Sequence, residues 1–266
     1  MTAPGPLERE IEDPWAPLRG LTQARIGLGR VGTSLPTARV LELASAHAAA
    51  RDAVHEPLDV AALLPQLPLP PGAGWAAHLP SRAADRAEYL RRPDLGRVPA
   101  GEQALRDAVA RVRPDAGVDA AARVDVALVV ADGLSPRAVR EHAVGLLEAI
   151  LDHLAPDLVV AAPIVATQAR VALGDHVGEA LGAETVLVII GERPGLSVAD
   201  SLGIYLTHHP RPGRTDAERN CVSNVHPPDG QTYAGAARTI AGLVAGARRL
   251  GRSGVDLKDG PHALPG

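Results

Sequence analysis

Three short segments of this sequence hold side chains that could do chemistry. The first, Gly191-Glu192-Arg193-Pro194-Gly195, follows an apolar run. Two glycines permit backbone angles closed to other residues, and Pro194 fixes a torsion between them. A stiff loop is expected, with a carboxylate and a guanidinium standing outward. An ionised Glu192 only accepts hydrogen bonds, which suits a ligand's amide N–H, although the same residues also suit an ordinary turn with a solvated ion pair. The second segment, Asp216 to Asn224, contains the single cysteine, Cys221, with His226 five residues on. A lone cysteine is more often a small apolar filler than a nucleophile, and closeness in sequence is weak ground for a Cys–His pair. The polar character of this segment reads as too irregular for core. The third, Arg170 to Gly178, sets His176 directly after Asp175, and His176 reads as a residue near a helix start.

Other chemistries lack their spacing. His208 and His209 are neighbours on an expected strand, so their rings point to opposite faces and cannot share one ion without distortion. No spacing matches a zinc site, so no metal ligand is expected. There is no Walker loop and no G-x-S-x-G elbow. Gly27, Gly29 and Gly32 have a dinucleotide-like spacing, but no strand or βαβ pattern surrounds them.

The elements that must position these segments change character near residue 115. Before it the pattern is helical and broken by proline, with helices expected at 37–54, 58–64, 82–90 and 102–112 and no strand. After it, apolar β-branched runs alternate with helical patterns. Val124 to Ala131 is a strand buried on both faces, leading to Ser135 and Pro136 as cap and first residue of a helix to about Leu154. Strands are expected at 158–162, 185–190 and 203–207, an extended piece at 170–173, and helices at 175–181 and 233–250. The fold class is therefore α/β, a Rossmann-like mostly parallel sheet with flanking helices after a helical N-terminal region. The expected divisions are a flexible tail at 1–20, a helical region at 21–114 and an α/β domain at 115–266. Ligands of such sheets bind beyond the carboxyl ends of the strands, which singles out the loops after Ala131, Leu173 and Ile190.

Composition narrows the function further. The net charge of −4 and the 2% of aromatic residues offer neither a basic field nor a stacking platform, so nucleic acid is not an expected partner. No apolar run approaches the roughly 20 residues of a membrane span, and the acidic, proline-bearing start has no apolar leader core. One cysteine forbids an intrachain disulfide framework. A soluble cytoplasmic protein is expected. The lack of phenylalanine and the single lysine, Lys258, read as the stamp of a GC-rich genome.

Seven strings, in order, resemble one family. They are ARIGLGRVGTSLPT from Ala24, HAAARDAVHEPLDV from His47, EYLRRPDLGR from Glu88, VVADGLS from Val129, RVALGDHVGE from Arg170, IGERPGLSVADSLGIYLT from Ile190 and RNCVSNVHP from Arg219. Together they are similar to the small subunit of adenosylcobalamin-dependent ethanolamine ammonia-lyase. The resemblance implies a light chain set against a TIM-barrel large subunit, with adenosylcobalamin held base-on between them while ethanolamine becomes acetaldehyde and ammonia. It implies that Val171, Glu192 and Cys221 bind the cofactor and that no catalytic residue lies on this chain. The 115–266 region would then be the cobalamin-binding domain. Asp175-His176-x-Gly178 departs from the Asp-x-His-x-x-Gly motif whose histidine replaces the cofactor's own base on cobalt, which agrees with a base-on mode. Isoleucine is expected where Val222 stands, a conservative departure. Some relatives enter a bacterial microcompartment through an N-terminal peptide, but Pro4, Pro6, Pro14 and Pro17 make residues 1–20 a poor amphipathic helix, which favours the cytosol. Two other readings stand beside this one: a scaffold subunit that never touches cofactor, and a free-standing α/β enzyme using Glu192, His176 or Cys221.

Overall fold

The computed structural model describes residues 13–113 and 123–258. The chain forms two compact units, Met1–Ala49 and Ala50–Gly266. Residues 1–12 of the expected tail and the expected division near residue 115 lie outside the described residues.

In the first unit, α1 (Ala16–Arg19) is a single turn, and Arg19 reaches forward to donate to the Gly27 carbonyl at 2.6 Å. Gly27 has a left-handed φ of 56°, and the Trp15 ring fills the space its side chain would need, 2.2 Å from an added Cβ. The glycine in that nucleotide-like run therefore answers to Trp15. The helix α2 (Thr37–His55) starts in this unit, and Val40 and Leu41 on its expected apolar stripe are exposed.

The second unit runs α3 (Val60–Leu63), β1 (Ala77–Pro80), α4 (Arg86–Arg91), α5 (Glu102–Val112), β2 (Val126–Ala131), α6 (Pro136–His153), β3 (Ile164–Thr167), α7 (Leu173–Leu181), β4 (Thr185–Gly191), β5 (Leu202–His208), β6 (Asn220–Val225) and α8 (Tyr233–Leu250). The strands form one mixed sheet in the order β1-β3-β2-β4-β5-β6. The pairings β1–β3, β3–β2 and β2–β4 are parallel, whereas β5 runs antiparallel to both β4 and β6.

Two helical layers explain why β2 and β4 read as continuous apolar runs. Val126, Leu128, Val130, Leu187 and Ile189 face the layer of α6 and α8. Ala127, Val129, Val186, Val188 and Ile190 face the layer of α5 and α7. Burial on both faces removes the alternation that a half-exposed strand shows. Close approach on the second face is made by small residues in α7: a Cβ on Gly174 would stand 2.3 Å from a Val188 methyl, and one on Gly178 2.3 Å from Pro210. These glycines seat the helix on the sheet.

The structure corrects several expectations. The strand β1 lies inside the region read as wholly helical, and it joins the sheet by pairing with β3. The strand expected at 158–162 forms at Ile164–Thr167, because the Asp125 carboxylate takes the Val159 N–H at 2.8 Å and leaves Val160 only an isolated bridge to Val126. The helix expected from Arg82 starts at Arg86, where Asp85 accepts from the Glu88 N–H at 2.8 Å. The piece expected to be extended at 170–173 is a turn into α7. The Asp216–Asn224 segment contains the edge strand β6, whose Val222 is buried in the α6–α8 core.

Candidate functional site

The loops after β3 and β4, together with β6, meet on the α7 face of the sheet. The helix α7 packs on β4 and β2 there. The edge strand β6 is left open, and Cys221 and Ser223 are exposed.

The carboxylate of Glu192 is anchored from two sides. Ser201 Oγ donates to Glu192 Oε2 at 2.7 Å, and the Asn224 backbone N–H donates to the same oxygen at 3.2 Å. A bulge makes the second bond possible. Between the pairs Leu202–Val225 and Ile204–Val222, β6 has one residue more than β5. The extra residue releases a ladder N–H, and Asn224 takes a left-handed φ of 62° as that group turns to Glu192. Glu192 Oε1 lies over Gly203, 3.0 Å from the position of an added Cβ, and accepts no hydrogen bond from the described residues. Glycine at 203 thus leaves a cradle for the carboxylate.

The loop that bears Glu192 is fixed from behind. Ser135 Oγ accepts from the Ala138 N–H at 3.1 Å as the cap of α6, and donates to the Ala199 carbonyl at 2.7 Å. Gly191 and Gly195 do not use the positive φ that glycine permits. Gly191 is required instead by a close approach, since a Cβ there would stand 2.2 Å from the Ser135 carbonyl oxygen.

Tyr205 joins the three expected binding residues. It pairs with Cys221 across β5–β6, which sets the two side chains beside one another. Loss of water, with Cys221 and the nearby Glu192 carboxylate adding, pushes the Tyr205 hydroxyl up to about 12. Cys221 is open to solvent as a residue, but its thiol sits against these neighbours. Desolvation, with Glu192 adding, raises the thiol above its ordinary value, while the neighbouring Tyr205 hydroxyl acts the other way. On the far side of Tyr205 lies a cavity of about 780 Å³, also lined by Val171, Arg97, Arg170 and His176. Val171 rests on the α5–α7 core beside this cavity. Glu192 is thus bonded to the strand that bears Cys221, and Val171 shares the lining of one cavity with Tyr205, the cross-strand neighbour of Cys221.

Two buried ionic links hold this arrangement. Arg219 makes a bidentate pair with Asp175, with both N–O distances 2.7 Å, and also donates to Thr207 Oγ1 at 2.6 Å. The pair ties α7 to the start of β6. At the end of β2, Asp132 accepts from the N–H groups of Gln168 at 2.8 Å and Ala169 at 3.0 Å, and so sets the loop that presents Arg170 and Val171. Burial pushes the Asp132 carboxyl up, against the pull of Arg86 at 3.3 Å.

Sequence reasoning missed Tyr205, the Asp175–Arg219 pair and Asp132. Tyr205 carried a signal, as one of only three tyrosines and a member of the IGERPGLSVADSLGIYLT string. The ion pair carried none, since its partners are 44 residues apart. His226 bonds Asn224 Oδ1 at 2.9 Å, so its ring is engaged away from Cys221. His176 lies in the first turn of α7 and lines the cavity. Against the expectation of opposite faces, the His208 and His209 rings lie with centroids 4.2 Å apart, because β5 ends at His208 and His209 turns off it with a left-handed φ of 49°; His208 Nδ1 is 3.0 Å from Thr185 Oγ1. Among the described residues one group has metal-ligand types within 4.8 Å of one another, Glu141, His142 and Asp200. The Arg137 guanidinium already serves it as cation, 2.9 Å from Glu141 and 3.9 Å from Asp200.

Residues 12–258 match the family model of the ethanolamine ammonia-lyase light chain (EutC). The chain is 55% identical to the ethanolamine ammonia-lyase small subunit of Rhodococcus erythropolis, over 95% of this chain and 93% of that one. It is 49% identical to the small subunits of Ralstonia nicotianae and Azotobacter vinelandii, in each case over 93% of this chain and 89% of the relative. With that coverage, the chain belongs to the ethanolamine ammonia-lyase light-chain family.

Proposed function

We propose that this chain is the cofactor-gripping small subunit of an ethanolamine ammonia-lyase, paired with a barrel-type large subunit that converts ethanolamine to acetaldehyde and ammonia. The observation that carries this reading is the Glu192 carboxylate. It is fixed through one oxygen by Ser201 and Asn224, while its other oxygen stays available over Gly203. A corrin is rimmed with amide side chains, and an available carboxylate oxygen suits an amide N–H. The cavity of about 780 Å³ beside Val171 gives room for part of a large ligand, and exposed Cys221 is a small side chain that lets one approach. The residues present therefore fit adenosylcobalamin, with Val171, Glu192 and Cys221 holding it. When bound, the cofactor supplies radical chemistry through its cobalt–carbon bond. This chain's residues bind it, orient it and keep water from its covered side.

The surroundings of Cys221 speak against a nucleophilic role for it. A nucleophilic cysteine needs a lowered pKa, and desolvation and Glu192 raise that of Cys221. A large partner fits the first unit, where Leu21, Val31 and Leu41 are 82%, 66% and 64% exposed. No helix of the described residues is long and apolar enough to cross a membrane. We place the assembly in the cytosol.

Co-expression with the large chain tests the proposal. With adenosylcobalamin and ethanolamine, acetaldehyde is expected to form, and Glu192→Ala is expected to weaken cofactor binding. A large chain equally active and equally tight alone would overturn it. Unchanged cobalamin affinity in Glu192→Ala would favour the scaffold reading.

A further inference from the structure

The cavity beside Tyr205 is walled by more cationic than anionic side chains, and two of the cations have no counter-ion among the described residues. Arg219 is engaged by Asp175, and Arg214 by Glu218. Arg97 and Arg170 have no carboxylate within 4.0 Å among the described residues. Both are positioned by Tyr89, which is fully buried and donates to the Ala169 carbonyl at 2.9 Å. The Arg170 guanidinium lies over the Tyr89 ring, 4.6 Å from its centroid, and its buried Nε has no acceptor among the described residues. Arg97 ends a short helical turn, Leu95–Arg97, whose Gly96 is wedged against the same ring, 2.7 Å from an added Cβ. The Gly96 carbonyl in turn accepts from the Arg170 N–H at 2.8 Å, so the two arginines share one support.

A guanidinium donates and never accepts, so the ligand group here must be an acceptor, and a charged one answers two uncompensated cations best. The remaining walls include Pro93, Val98, Val171 and Ala172, which disfavour a fully hydrated ion. The complementary chemistry is a phosphate ester on an amphipathic molecule.

We infer that Arg97 and Arg170 form an anion subsite for the phosphodiester of the corrinoid's nucleotide loop. The inference rests on the corrinoid reading of Val171, Glu192 and Cys221, and it deepens that reading. It assigns the cavity to the phosphate-bearing arm of the ligand, and the Glu192 side to the amides of the ring.

The test uses the complex of large and small chains and two probes that differ only in phosphate, dicyanocobinamide and dicyanocobinamide phosphate. The unsubstituted complex should prefer the phosphate form by about tenfold or more, as expected for charge-assisted hydrogen bonds. Arg97→Met and Arg170→Met should remove that preference and leave cobinamide affinity unchanged. Because Arg170 also packs on Tyr89, the exposed Arg97 keeps the test valid if Arg170→Met fails to fold. No preference in the unsubstituted complex, or equal weakening of both probes by Arg97→Met, overturns the subsite. Millimolar inorganic phosphate should compete with cobinamide phosphate and leave cobinamide binding untouched. Competition without any preference between the probes would mark a separate site for free phosphate and also overturn the inference. Glu192→Gln separates the two levels. Weakening of both probes by Glu192→Gln while the arginine variants keep the preference removes the subsite alone. No effect of Glu192→Gln on either probe removes the corrinoid reading itself.

Discussion

Asp175 and Arg219 form a bidentate ion pair that is almost completely shielded from water, with 1% and 2% of their side chains exposed. It joins α7, which follows Val171, to the strand that presents Cys221. Its worth lies in what happens when half of it is removed. Leaving one buried charge unpaired typically costs about 3–5 kcal/mol, whereas replacing both partners by apolar residues of similar volume is often close to neutral. Asp175→Asn and Arg219→Met are each expected to lower the denaturation midpoint sharply, and Asp175→Leu/Arg219→Met to recover much of the loss. The cofactor affinity of the recovered double variant should stay lower if the pair's geometry, beyond its contribution to stability, aligns the site. Urea unfolding and corrinoid binding, measured on the same three variants, check this.

Cys221 offers a second reading of the same face. Desolvation and the Glu192 carboxylate hold its thiol above the ordinary value, and the Tyr205 hydroxyl opposes them. Removing the negative charge in Glu192→Gln should bring the thiol down and speed iodoacetamide alkylation of the free chain near pH 8. Tyr205→Phe removes the opposing hydroxyl and should slow it. Cys221→Ser should leave turnover of the complex intact and weaken cofactor binding at most. Abolished turnover in that variant would restore a catalytic cysteine.

What could be read from the sequence follows from the range over which each signal acts. Glu102–Val112 and Tyr233–Leu250 form with the expected bounds because a helix repeats its apolar stripe within a few residues. Ser135 was legible as a cap because the cap and the N–H it accepts are three residues apart. The strand β1 was not legible. Its four residues, one of them a proline, gain strand character only from pairing with β3 far along the chain. For β6 the reason is different. One face meets the core through Val222 and Val225 and the other meets solvent, and the bulge breaks the alternation that would have revealed it. In the candidate site, motif strings pointed to Glu192, Cys221 and Val171, but nothing local could show that Tyr205 lies beside Cys221.

Glu218 sets an acid limit on the loop beside the cavity. Bonds from the Thr215 N–H at 2.7 Å, from Arg214 and from the Thr215 hydroxyl hold its carboxyl down at about 2 from an ordinary value of 4.5. A depressed carboxylate contributes stability that is complete above the unfolded value and is lost as pH falls through the folded one. The Thr215–Glu218 turn should therefore persist at neutral pH and loosen as pH falls from about 4.5 towards about 2. Glu218→Gln should flatten that dependence. Amide exchange at Thr215 across this range is the measurement, and a pH-independent wild-type turn would contradict it.

Gly174 tests the seating of α7. Its missing Cβ would lie 2.3 Å from a Val188 methyl, so Gly174→Ala overpacks the interface and should cost about 1–3 kcal/mol. Val188→Ala alone leaves a cavity. In the double variant the two errors fill one another, so the stability loss should be clearly less than the sum of the single losses. Additive losses would mean that the helix shifts away without meeting Val188.

The first unit bears on assembly. Leu21 and Leu41 are exposed within a unit where Val31 is exposed as well. A leucine moved from water into an interface contributes about 1.5–3 kcal/mol, so two such residues are enough to change association at least tenfold. Leu21→Ser/Leu41→Ser should raise the solubility of the free chain by removing its exposed apolar surface. The same pair should weaken binding to the large chain by that factor or more, and leave intact the corrinoid contacts proposed for Glu192. Pull-down titration of the large chain separates these effects. Improved solubility with unchanged affinity would mean that the large subunit lies elsewhere, and that these leucines meet a different surface.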